Sequence, residues 1–183
     1  MLGAQTIDPD MKVKVVWVYT WFDHPKASYA AKVLMDQGAD IITQHKASTA
    51  AIQAAADRGM LAFGQASDLI HFAPNTQLTA IIDAWGPYYV ARTQAVLDDT
   101  WSSGDTWHGM TEGMVVMAPF TNMPSSVMKL AQKTTESLIS GEYSPCILFK
   151  SKIFWQAILI AATPTIDLLP VSYTHLTLPA NRV

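Results

Sequence analysis

Cysteine is almost absent from this sequence: Cys146 is the single cysteine among 183 residues, so no disulfide can form within the chain. Charge is scarce as well, since Asp, Glu, Lys and Arg make up 15% of the residues and the net charge is −3. A nucleic-acid-binding surface is expected to carry a block or stripe of basic residues, and the twelve basic residues here form neither. We therefore expect no nucleic acid as a partner.

Long apolar runs are also missing. The longest, residues 153–162, is about half of the roughly 20 residues that a membrane helix requires. The first five residues lack the charged and apolar regions of a signal peptide. The sequence therefore predicts no membrane span, and an export signal cannot be read from it.

The glycine-rich motifs of common enzymes do not occur. A dinucleotide site needs glycines after the first strand so that the backbone can approach the pyrophosphate, whereas this chain reads YTWFDHPK there. Neither the G-x-x-x-x-G-K-[ST] phosphate loop nor the G-x-S-x-G serine hydrolase elbow is present. We expect no cofactor and no catalysis.

What the sequence does contain is a folded domain's composition, half hydrophobic, with strand-like and helix-like segments in alternation. The predicted strands are residues 12–19, 40–44, 60–63, 77–82 and 114–117, and predicted helices begin near His24, Ser48, Gly86 and Pro124. This alternation predicts the α/β class, with a parallel sheet flanked by helices.

Ligands of open parallel sheets bind beyond the carboxyl ends of the strands. Here those ends are rich in aromatic and acidic residues, which favour a flat ligand that stacks on rings and donates hydrogen bonds, such as a purine or its riboside. The candidate ligand-binding residues are Trp21, Phe22, Asp23, Gly64, Asp68, Asp83 and Trp85.

Four of the candidates also have a structural interpretation. Trp21 fits a core position at a strand end as well as a stacking platform. Asp23 precedes a helix and is best explained as a cap, Asp68 is a common turn former, and Trp85 fits a hydrophobic staple.

Two other classes of function remain as alternatives. One is a small α/β enzyme in which Asp23, Asp68 and Asp83 hold a metal for phosphoryl chemistry, although the spacing of the histidines and acids matches no established metal site. The other is the effector-sensing lobe of a transcription regulator, since fold alone does not decide function.

Four segments of the sequence indicate a specific family. They are VKVVWVYTWFDHPKASYAAKVLMDQGADIITQH, AAADRGMLAFGQASD, LTAIIDAWGPYY and TWSSGDTWHGMTEGMVVMAP, in this order along the chain. Together they resemble the basic membrane protein family, the purine-nucleoside-binding lipoproteins that serve ABC transporters. The resemblance runs from about residue 3 to residue 143.

The resemblance implies two α/β lobes of the type I periplasmic-binding class that close on a ligand, with residues 1–145 forming an incomplete second lobe. It implies that Trp21 stacks on the base and that Asp68, which closes a G-x-x-x-D loop, accepts hydrogen bonds. Many members carry a lysine where this chain has Asp83, which leaves room for a free base such as adenine or another heterocycle.

The resemblance also implies an ABC permease as partner, a monomer, and a periplasmic or membrane-anchored lipoprotein as the intact form. After Pro145 the sequence departs from the family, and its end, VSYTHLTLPANRV, is similar to translated adaptor sequence. We therefore predict that residues 146–183 are an aberrant tail that arises from a shifted frame or a chimeric read.

Overall fold

The computed structural model describes residues 2–5, 7–46 and 48–143. Four strands and five helices are formed by these residues, together with one 3-10 turn. The strands are β1 (Ile41–Ile42), β2 (Leu61–Ala66), β3 (Gln77–Asp83) and β4 (Val115–Met117). The helices are α1 (Leu2–Gln5), α2 (His24–Asp36), α3 (Ala50–Ala56), α4 (Trp85–Leu97) and α5 (Ser125–Ser140), and the 3-10 turn is Ile70–Phe72.

The sheet has the order β1-β2-β3-β4, which confirms the α/β class. The first three strands are parallel, as predicted, but β4 is antiparallel to β3. The reason is the path of the chain after β3: Asp83 pairs with Val115, and the Ala84 amide donates to the Met114 carbonyl at 2.8 Å. The chain thus re-enters the sheet at the end where β3 leaves it, and β4 must run back along β3.

The prediction of a first strand at residues 12–19 is wrong. The segment contains one isolated bridge residue, Val13, and no strand. Its apolar side chains still serve the core, because Val16 is buried and Val18 packs against the central cluster. Tyr19 has a left-handed backbone with a φ of 49°, which interrupts the extended path that a strand needs.

The core lies between the sheet and helices α2 and α3. Leu34, Ile42 and Ile52 are its largest fully buried apolar side chains, and alanines fill much of the rest. Short side chains allow the two helices to pack closely on each other and on the sheet. In contrast, α4 and α5 contain no buried residue.

Candidate functional site

The parallel direction of β1, β2 and β3 points their carboxyl ends to one side of the sheet. The ends of β2 and β3 are level, since Ala66 pairs with Ile82, whereas β1 ends at Ile42 opposite Ala62, near the start of β2. The segments that follow β1, β2 and β3 therefore leave the sheet on the same side, which is where ligands of such sheets bind. We call this side the carboxyl edge.

Trp21 and Phe22 lie in the loop that leads into α2, and both are exposed. Trp21 is 69% exposed, and its ring meets the His45 ring edge-on, with centroids 5.8 Å apart. Because His45 follows β1, this contact ties the Trp21 loop to the carboxyl edge. Phe22 packs edge-on against His24 at 4.7 Å. The exposure of Trp21 agrees with a stacking platform better than with a core position.

Asp23 caps helix α2. Its side chain accepts a hydrogen bond from the Lys26 amide at 2.9 Å, in the geometry of a helix N-cap, and Pro25 occupies the first turn. The capping role that the sequence favours for Asp23 therefore exists in the structure. A ligand contact by the same carboxylate stays a prediction.

Gly64 lies inside β2, although the sequence places it in the loop after the strand. A Cβ atom at Gly64 would meet the Ala80 Cβ at 2.6 Å and the Gln77 Oε1 at 2.8 Å. Glycine is thus needed here for close packing against β3. The loop itself begins later, where Ala66 adopts a left-handed φ of 62°.

Asp68 turns back from the carboxyl edge towards the start of β3. Its Oδ1 accepts hydrogen bonds from the Ile70 amide at 3.1 Å and from Gln77 Nε2 at 2.7 Å. The Gln77 Oε1 in turn accepts from the Leu69 amide at 3.0 Å. Asp68 therefore forms a turn, as its structural interpretation predicts. Among the described residues its Oδ2 receives no hydrogen bond.

Asp83 and Trp85 follow one another where β3 ends. Asp83 is the last residue of β3 and its side chain is exposed. Trp85 is the first residue of α4, and its ring stacks on Tyr89, with centroids 5.6 Å apart and planes 17° apart. Tyr89 was not singled out from the sequence, although its position one helical turn after Trp85 is a signal for such a contact.

The contacts of the candidate residues form separate groups. Trp21 contacts His45, Asp68 contacts Gln77, and Trp85 contacts its own helix. Within residues 2–5, 7–46 and 48–143, no hydrogen bond or ring contact joins one group to another. Trp21, through His45, and Trp85 lie beside the carboxyl edge, whereas Asp68 is bonded to the first residue of β3.

Lys46 was not among the candidate ligand-binding residues, although it follows a predicted strand. It follows β1, its side chain is only 7% exposed, and its ammonium has no hydrogen-bond partner among the described residues. Burial lowers the pKa of Lys46 below its ordinary value of 10.5; Asp23 partly offsets this, and Lys26 adds to it. Lys46 lines a small cavity of about 20 Å³ together with Gln44.

Metal ligands do not gather in the part of the chain that is described. No group of three or more His, Cys, Asp or Glu side chains there could hold a metal ion. Asp23, Asp68 and Asp83, the metal ligands in the enzyme alternative, therefore do not form such a group. A separate groove of about 510 Å³ lies between α2 and α3, and among its lining residues are His24, Gln53 and Phe72.

A family model for PnrA-like ABC transporter substrate-binding proteins matches residues 1–145. The chain belongs to this family, known as Bmp. A purine-binding protein of Brucella abortus (strain 2308) is 63% identical over 145 residues, which is 79% of this chain and 41% of that protein. The chain thus spans less than half the length of that relative.

Solved structures share the fold at low sequence identity. A solute-binding protein of an ABC transporter system from Conexibacter woesei DSM 14684 has a TM-score of 0.60 at 18% identity, over 78% of this chain and 49% of that one. A transcriptional activator of the comK gene from Bacillus halodurans has a TM-score of 0.64 at 20% identity, over 70% and 47%. The fold is therefore common to transport proteins and regulators, and these structures carry no further argument about function.

Membership in the Bmp family confirms the resemblance seen in the four sequence blocks. The members of the family are substrate-binding components of ABC transporters. No helix in the described ranges is long and apolar enough to cross a membrane.

Proposed function

We propose that this chain is part of a solute-binding protein that binds a purine base or nucleoside reversibly and delivers it to an ABC permease. The observation that carries the proposal is the 63% identity to a purine-binding protein over 145 residues. The exposed aromatic rings and acids at that edge supply the chemistry that a purine needs.

In this proposal the ligand is held by stacking and by carboxylate acceptors. Trp21 offers an exposed ring face, and Trp85 on Tyr89 offers a second. Asp83 and the Oδ2 atom of Asp68 accept hydrogen bonds from ring nitrogens or an exocyclic amine. Phe22 adds apolar surface beside Trp21, whereas Asp23 and Gly64 shape the site through the start of α2 and the packing of β2.

The intact protein, in this proposal, has two lobes, and residues 1–145 supply most of the second. Closure of the lobes removes water from the rings and the acids, which strengthens both kinds of contact. The intact protein works as a monomer in the periplasm or as a membrane-anchored lipoprotein, and it carries out no covalent chemistry. Residues 146–183 take no part in binding; those beyond Tyr143 lie outside the described residues.

A hybrid protein tests the proposal. Residues 1–145 replace the matching 145-residue segment of the Brucella purine-binding protein, so that the other lobe is present. Titration calorimetry with adenine, hypoxanthine, adenosine and guanosine measures binding, and the unaltered Brucella protein is the positive control. We expect heat of binding with at least one purine and none with glucose.

The hybrid must first be shown to fold. Its far-UV circular dichroism and its unfolding curve are compared with those of the Brucella protein. A folded hybrid that binds none of the four purines, while the Brucella protein binds, would refute the proposed ligand class.

A further inference from the structure

We propose that Gln77 is a positioning residue for the ligand, because it fixes the orientation of the Asp68 carboxylate. This inference rests on the proposed function and goes beyond it, since Gln77 lies at the start of β3 and does not itself lie at the carboxyl edge. It concerns how the acceptor at Asp68 is held.

The side chain of Gln77 is 1% exposed, and both ends of its amide are used. The nitrogen donates to Asp68 Oδ1 at 2.7 Å, and the oxygen accepts from the Leu69 amide at 3.0 Å. These two bonds fix both the amide's orientation and the backbone next to Asp68. A single buried side chain thus holds the loop after β2 at two points.

The chemistry of an amide suits this task. Asp68 Oδ1 receives two donors, from Gln77 and from the Ile70 amide, so that this oxygen is committed to the loop. The carboxylate is then oriented with Oδ2 left to accept a hydrogen bond from a ligand N–H. An apolar side chain at position 77 has no donor for Oδ1, and a carboxylate there repels the charge of Asp68.

The packing around Gln77 keeps it in place. Its Oε1 lies 2.8 Å from where a Cβ of residue 64 would stand, closer than a real Cβ contact, so Gly64 makes room for it. The backbone carbonyl of Gln77 accepts from the Thr121 hydroxyl and from Asn122 Nδ2 at 2.6 and 2.7 Å. The residue is therefore anchored on its backbone as well as on its side chain.

The test uses two variants, one whose effect on binding should be independent of pH and one whose effect should depend on pH. Gln77→Leu should weaken purine binding by the hybrid about tenfold or more at every pH, because Oδ1 loses a charge-assisted bond. Gln77→Glu should weaken binding by a similar factor at about pH 8, where two carboxylates face each other. At about pH 5 one proton is shared between them, the donor is restored, and binding should return to within about threefold of the unsubstituted hybrid.

Gln94 provides a matched control. Its Nε2 donates to Asp98 Oδ1 at 2.8 Å on the exposed face of α4, so Gln94→Glu makes the same change of charge outside the site. We expect no change in affinity and no new dependence on pH. The full 183-residue chain gives a readout without ligand: exchange of the Leu69 amide proton should accelerate in Gln77→Leu, since its acceptor is lost.

The outcomes separate this inference from the proposed function. A hybrid with Gln77 intact that binds no purine refutes the proposed function, and the positioning role falls with it. A hybrid that binds purine with unchanged affinity in both Gln77 variants overturns the inference alone. Equal weakening by Gln77→Glu at both pH values, with no recovery in acid, also overturns it, because loss of folding rather than orientation would then explain the effect.

Discussion

At the scale of single residues, Gly64 was a candidate for ligand binding, but the structure shows that it is needed for the packing of β2 on β3. A Cβ atom at this position would lie 2.6 Å from the Ala80 Cβ and 2.8 Å from the Gln77 Oε1, which is too close for a real contact. Gly64→Ala should therefore lower the free energy of unfolding by about 1 to 3 kcal/mol through overpacking. Urea denaturation of the full chain measures this.

Gly86 is the control for that change. It lies in the first turn of α4, with no atom within 4 Å of its Cβ position. Gly86→Ala should leave stability unchanged or raise it by about 0.5 to 1 kcal/mol. A Gly64→Ala variant as stable as Gly86→Ala would contradict the close packing of β2 on β3.

Lys46 should make stability depend on pH. Burial lowers the pKa of Lys46 in the folded chain, so the unfolded chain binds the proton more tightly. The buried ammonium therefore lowers the free energy of unfolding, and this loss disappears as the pH approaches 10.5. Lys46→Met should raise the free energy of unfolding by about 1 to 3 kcal/mol at neutral pH. The advantage should shrink as the pH rises towards 10.5.

Urea denaturation of both proteins between neutral pH and pH 10.5 measures that difference. Lys32→Met is the control, since Lys32 is exposed on α2 and is not among the charges that shift the pKa of Lys46. A constant difference between Lys46→Met and the unsubstituted chain at all pH values would show that the ammonium is not the source.

Trp21 should matter for binding far more than for folding. It is exposed and touches only the His45 ring among the described aromatic residues. Trp21→Ala in the hybrid should cost about 1 to 3 kcal/mol of binding, the typical value of a base stacked on an aromatic ring. Its cost in folding should stay within about 0.5 kcal/mol.

Trp107→Ala is the matched substitution, because Trp107 is 72% exposed and lies outside the candidate residues. Calorimetry with the hybrid should show unchanged affinity. Equal losses from both tryptophans would mean that Trp21 is not a specific platform.

At the scale of elements, helix α2 separates the two interpretations of Asp23. As an N-cap it holds the Lys26 amide at 2.9 Å. Asp23→Ala should destabilise the chain by about 1 kcal/mol, whereas Asp23→Asn should cost much less, because asparagine caps helices equally well. Thermal unfolding of both variants measures this.

The ligand role of the same residue needs the negative charge. In the hybrid, Asp23→Asn should leave purine affinity within about twofold if the residue is a cap alone. A loss of tenfold or more with intact stability would assign Asp23 to the ligand as well.

The sequence predicts those elements whose signals are local. The start of α2 is predicted by a proline in the first turn and an acid before it. Gly141, with a φ of 75°, ends α5 at the position that the sequence predicts. The strand predicted at residues 12–19 is absent because a run rich in valine and aromatic residues indicates burial and not strand pairing. Val16 is buried there without strand partners.

The direction of β4 and the site's hydrogen bonds could not be predicted from the sequence. Strand direction depends on where a long connection returns, and residues 98–114 carry no periodic signal. The bond between Gln77 and Asp68 joins residues nine positions apart across a loop. A glutamine in an apolar strand shows that it needs a partner but not which one.

At the scale of the whole molecule, the proposed function assigns this chain one of the two lobes that form a binding cleft. The chain covers 41% of its purine-binding relative, and Trp21, Phe22, Asp83 and Trp85 stand exposed beside the carboxyl edge. A flat ligand on such an edge keeps one face in water. Affinity from stacking and carboxylates then stays weak until a second surface covers the ligand.

Purines should therefore stabilise the hybrid and leave the 183-residue chain unaffected. A ligand that binds the folded state alone, at about 100 times its dissociation constant, adds about 2.7 kcal/mol to the free energy of unfolding. Thermal unfolding with adenine or adenosine should show a rise in the midpoint for the hybrid and none for the chain. A rise of equal size in both would mean that residues of this lobe bind the purine without a second surface, and closure would then contribute nothing to affinity.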